Sequence, residues 1–129
     1  MKMKRMLILM VMLVTLCLPS VVHAESNEAA QVLIGQYQDM KLNCEAGINY
    51  YDYSKLYREL YVATMKQQGN IDKVTFDKFR FTANCYQTAM GYWDKRYDSL
   101  SINNYEVKTW LNMAKDEIDE LDKSLNVQP

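Results

Sequence analysis

Few side chains in this 129-residue chain carry reactive chemistry, and where they fall narrows what the protein does. Cys44 and Cys85 are the two cysteines in the body of the chain; the third, Cys17, sits in an apolar leader. In an oxidising compartment an even pair without Cys-x-x-Cys spacing predicts a structural disulfide rather than a redox centre. Closing a loop of about 40 residues in this way stabilises a fold by roughly 4 kcal/mol in the chain-entropy account. The single histidine, His23, lies at the end of the leader. Once the leader is gone, neither Ser-His or Cys-His nucleophilic sites nor His-ligated metal sites can be assembled.

Carboxylates are the remaining reactive groups. Glu45, Glu59 and Glu106 are available for paired acid–base work of the glycosidase kind, which needs an acid of raised pKa in a cleft. None sits in a recognisable motif, and Glu106 is better explained as a helix cap. The run Asp116, Glu117, Asp119, Glu120 and Asp122 places carboxylates four residues apart, as a calcium site would. It lacks the loop spacing and glycine of an EF-hand and reads as a solvated helix face. The expectation is therefore no enzyme, no metal and no cofactor.

Tyrosine is the residue in surplus. Tyr50, Tyr51, Tyr53, Tyr57 and Tyr61 crowd into one short stretch. Tyrosine offers a broad apolar face and a hydrogen-bonding tip, which suits binding surfaces as well as domain boundaries. Tyr50, Tyr51, Tyr57, Tyr61 and Met65 are the candidate partner-binding residues, with Tyr57, Tyr61 and Met65 foremost because the expected core stripe leaves them out.

The leader decides the compartment. Lys2, Lys4 and Arg5 precede an apolar run from Met6 to Leu18, broken by Pro19 and Ser20; Val22-His23-Ala24 then has the small and apolar residues of a cleavage site. The run is shorter than the roughly 20 residues that cross a bilayer. Residues 1–24 are expected to be a signal peptide cleaved after Ala24, and residues 25–129 a single periplasmic or secreted domain. Cleavage removes three of the 15 basic residues and none of the 16 acidic ones, leaving the domain mildly acidic. That charge argues against a nucleic-acid partner.

The elements that must hold these residues are helical. Ala30, Leu33, Tyr37, Met40 and Cys44 recur at spacings of three and four, predicting a first helix over 27–44 with Ser26 as its cap. Tyr53, Leu56, Leu60 and Ala63 predict a second over 53–68, capped by Asp52 and ended by Gly69. A third, over 73–99, starts at Asp72 with Ile71 and Phe76 as a hydrophobic staple. It carries two apolar lines. One is Phe79, Ala83, Tyr86, Met90, Trp93, Tyr97 and Leu100. The other is Val74, Phe81, Cys85 and Tyr92, which the first helix should cover; left uncovered, Phe81 and Tyr92 become a second binding patch. A fourth helix over 104–125, announced by Asn103 and Glu106, presents Val107, Leu111, Ala114, Ile118, Leu121 and Leu125 as its seam, with Trp110 at the edge.

The fold class expected is all-α: a compact four-helix bundle stapled by one disulfide. The function expected is non-enzymatic. The exported domain would bind a specific protein partner such as a toxin, an envelope component or a secretion subunit, without stable membrane insertion. An acid- or stress-responsive periplasmic chaperone is the alternative, and a carrier of small apolar ligands the second.

Overall fold

The computed structural model describes residues 27–93 and 104–126. The leader with its cleavage site after Ala24, the Ser26 cap, the Asn103 start signal and the continuation of the third helix to Ser99 lie outside the described residues. Those described form four packed α-helices: α1 (27–46), α2 (Tyr50–Lys66), α3 (Lys73–Tyr92) and α4 (Tyr105–Asn126). α3 runs unbroken through Gly91.

Each start is set by a side chain that satisfies an orphan backbone amide. Asp72 accepts from Thr75 N at 3.0 Å and opens α3, with Ile71 and Phe76 both buried at its foot. For α2 the cap is Asn49 rather than Asp52: its Oδ1 accepts from Asp52 N at 2.7 Å, and its Nδ2 donates to Asp52 Oδ2 at 2.8 Å. Asp52 thus serves inside the first turn, where a carboxylate also favours the positive end of the helix dipole. Asn104 caps α4, accepting from Val107 N at 3.3 Å, while its Nδ2 donates to Tyr92 O at 2.9 Å. One carboxamide therefore joins the end of α3 to the start of α4. Gly47 and Gly69 reverse the chain after α1 and α2 with φ of 87° and 84°, values natural only to glycine.

Neighbouring helices run antiparallel, as short connections favour. Gln31 Nε2 donates to Leu125 O at 3.1 Å and Lys41 Nζ pairs with Asp119 Oδ1 at 3.3 Å, aligning α1 against α4. Tyr53, early in α2, donates its hydroxyl to the carbonyl of Tyr86, late in α3, at 2.7 Å.

The centre is built from aromatic residues with polar tips. Tyr37, Tyr53, Phe79 and Tyr86 are all fully buried. Tyr37 crosses from α1 between two other helices; its hydroxyl stands 2.9 Å from Phe79 O on α3 and 2.8 Å from Thr64 Oγ1 on α2. Thr64 Oγ1 also lies 2.8 Å from Leu60 O. Two hydroxyl protons serve three contacts, so the tyrosine and the threonine form a chain ending on one carbonyl or the other. The carbonyls of Phe79 and Tyr86 are seven residues apart, on one face of α3.

This arrangement turns α2 relative to the expected stripe. Tyr53, Tyr57, Leu60 and Thr64 are its buried residues, while Leu56 and Ala63 are half-buried. A fully buried threonine is possible because its hydroxyl is satisfied on both sides. The second line of α3 is not covered by α1. Val74, Phe81 and Tyr92 are exposed, and Cys85 alone of that line is buried.

The disulfide is a second correction: Cys44 and Cys85 are free thiols. Tyr37 and Cys44 lie two turns apart on one face of α1, as Phe79 and Tyr86 do on α3. Tyr37 spans the gap between those two helices with its whole length plus a hydrogen bond. A disulfide needs a narrow Cα separation and Cβ orientation, a condition that shared helical faces and an even cysteine count do not by themselves supply. Burial, with the Glu45 carboxylate adding to it, pushes the Cys44 thiol up to about 12. Burial and Glu117 push Cys85 up to about 11. Thiolate is the reactive form, so both should be inert in the fold. Alkylation of residues 25–129, purified without reductant, should label neither cysteine until the protein is unfolded, and then both by mass. Two cysteines that stay unlabelled in denaturant would show that they were bonded.

The Tyr37–Thr64 contact should also be measurable. Tyr37→Phe and Thr64→Val should each cost about 1 kcal/mol in urea unfolding. The double variant should cost less than the sum, because each single change already breaks the shared bond. Strict additivity would show the two hydroxyls to be independent.

Candidate functional site

The tyrosines of α2 divide between core and surface according to the turn of the helix. Tyr53 is fully buried, its hydroxyl satisfied by Tyr86 O and its ring 5.0 Å from Trp93. Tyr50 is half-buried, edge-on to Trp93 at 5.8 Å and 72°. Tyr57 is 7 % exposed, whereas Tyr61, one turn on, is 44 % exposed with its ring 6.2 Å away. Met65, one further turn along, packs half-buried against the core. Tyr57, Tyr61 and Met65 are therefore brought together on one edge of α2, running from buried to exposed. Tyr51 is not part of that edge. It is 73 % exposed and shares the outer line of α2 with Arg58 and Val62, at spacings of seven and four.

Phe81 and Tyr92, exposed on α3, stand apart from that edge. They flank the side of α3 on which Cys85 meets Glu117 of α4, so they border the α3–α4 seam. Among the carboxylates of α4, Asp119 pairs with Lys41. Among the described residues, no three His, Cys, Asp or Glu side chains converge tightly enough to hold a metal ion.

Two features were not singled out in the sequence. The indole of Trp93 is buried, and its Nε1 has no hydrogen-bond partner among the described residues. Tyr50 and Tyr53 pack against this ring. The other is a trough between α1 and α2, of about 550 Å³ at its wider end, where Val32 and Val62 stand 67 % and 50 % exposed. Its signal was present but faint. Ala29, Val32 and Gln36 repeat at helical spacing beside the core stripe of α1 and read as ordinary surface.

Compared with known proteins, the chain matches no family model, no curated protein and no solved structure. Its class is therefore defined by the coordinates alone: an all-α bundle of four helices whose core tyrosines are anchored on the main chain.

That core sets a testable response to alkali. Burial raises the phenols of Tyr37, Tyr53 and Tyr86 well above their ordinary value; for Tyr37 the hydrogen bond with Thr64 partly offsets it. The folded state thus keeps protons that the unfolded chain releases from about pH 10. Stability is fully present below that pH and declines above it, by up to about 1.4 kcal/mol per pH unit for each such phenol. The half-buried Cys44 thiol and the buried Cys85 thiol begin the decline slightly earlier, near their ordinary value of about 8.5. Tyrosinate absorbance from these three residues should appear together with loss of the far-ultraviolet helical signal. Ionisation of all ten tyrosines with the helices intact would overturn this account.

Proposed function

We propose that the protein is an exported, non-enzymatic binding module that recognises a protein partner through the aromatic edge of α2. The carrying observation is the Tyr61 ring, 44 % exposed and resting beside the buried Tyr57. An aromatic held by a packed neighbour has already lost most of its rotamer freedom, so little entropy is left to lose on docking. Large rings of this kind, apolar on the face and polar at the tip, are the usual anchors of interfaces. Met65 extends the edge with a side chain that adapts to irregular surfaces.

Export supports the same reading. A positive start, an apolar run from Met6 to Leu18 and a small-residue cleavage site direct the domain to the periplasm or beyond. There, a module without redox-active cysteines or histidine is suited to recognition rather than to turnover.

The test begins with the tagged full chain expressed in its own host, crosslinked in living cells, and its partner identified. Affinity for that partner is then measured with purified proteins. Tyr61→Ala should leave helical content and melting temperature nearly unchanged and weaken binding about 30-fold or more, the loss of a 2 kcal/mol anchor. Tyr57→Ala is a poor substitute, since emptying a buried site destabilises the fold itself. Full affinity in a folded Tyr61→Ala protein would remove this edge from consideration. A broad mixture captured only after acid or heat stress would point to a chaperone instead.

A further inference from the structure

The trough between α1 and α2 borders the tyrosine edge along Arg58 and Val62 of α2, but none of Tyr57, Tyr61 and Met65 lines it. It is continuous. Three adjoining hollows share Glu59, and the first two also share Gln36 and Ala63. Along α1 it extends from Ala29 to Ala46. At 1.5 Å per residue that is about 25 Å, or nearly five turns of helix. The wider end has a small-residue floor of Ala29 and Ala63, with Val32 and Val62 as its lips. Alanine at a helix contact lets a third backbone come close, and exposed valine on both sides offers it apolar surface. This is the geometry that seats a helix in a groove.

The charges say what kind of helix. Arg58 and Lys66 line the same end, and neither has a carboxylate partner among the described residues. They are eight residues apart on α2, about 12 Å along its axis. Glu59 stands between them on the trough side.

We infer that this trough docks an amphipathic helix of a protein partner. That helix carries an apolar stripe for Ala29, Val32, Val62 and Ala63, and acidic residues about two turns apart facing Arg58 and Lys66. A basic or amide side chain between them meets Glu59. Complementary charge of this sort sets register and association rate more than raw affinity, while the apolar stripe contributes most of the binding energy. The inference goes beyond the tyrosine edge and does not depend on it, because Tyr57, Tyr61 and Met65 are not among the residues that line the trough.

The test places a photocrosslinking amino acid at Val32 or Val62 of the full chain in its native host and sequences the adduct. The expected result is a protein adduct mapping to a helix with the stated stripe and acid spacing. Arg58→Glu/Lys66→Glu should reduce the adduct at least tenfold without changing the melting temperature, and reversing the partner's two acids to lysine should restore it. Tyr61→Ala separates the two proposals: it should leave the Val62 adduct in place, whatever it does to binding at the tyrosine edge. An adduct to a second copy of this chain, to its own leader, or to lipid overturns the inference. So does a protein adduct indifferent to the charge reversal, or no adduct from either position.

Discussion

A tyrosine cannot be buried until its hydroxyl has somewhere to go, and the structure depends on how that requirement is met. An unsatisfied buried hydroxyl costs on the order of 1–3 kcal/mol. Tyr37 and Tyr53 reach from α1 and α2 to carbonyls on one face of α3, two turns apart. A helical carbonyl has a second lone pair after serving its own ladder, so the ends of these side chains are satisfied without interrupting α3. Rings of this length then hold the helices apart. This makes α3, the helix that supplies the acceptors, the centre of the assembly.

Helix positions and the Asp72 cap were legible in the sequence because each depends on local chemistry. Asp72 was readable as a cap, Gly69 as a reversal, and Val107, Ala114, Ile118 and Leu121 as the inward stripe of α4. What failed were the inferences about which face of α2 turns inward, which line of α3 is covered, and which cysteines are joined. Thr64 is polar, so counting apolar residues passes over it; only the arrival of the Tyr37 hydroxyl turns it inward. That rotation carries Tyr57 into the core and leaves Ala63 facing the trough. The outer line of α3 reads as a second buried face because Phe81 and Tyr92 are large and apolar, yet α1 passes elsewhere and both rings meet water.

The tyrosine cluster illustrates the same division. Its density in the sequence suggested a surface, but density alone does not distinguish rings used for packing from rings left for recognition. Tyr53 and Tyr57 belong to the core, Tyr50 rests on Trp93, and Tyr61 and Tyr51 stand out on different lines of α2. Helical phase makes this separation. A change of a few tens of degrees in how α2 is rolled would give another set of exposed rings, and that roll is set by Thr64.

The acceptors on α3 are main-chain atoms, and this has a consequence for how the sequence can drift. No side-chain replacement at position 79 or 86 deletes a carbonyl, so the landing points persist through any change that keeps α3 helical. The donors are individual residues and can be lost one at a time. Evolutionary constraint should therefore be lopsided, strict at Tyr37 and Tyr53 and permissive as to residue type on the helix they grip.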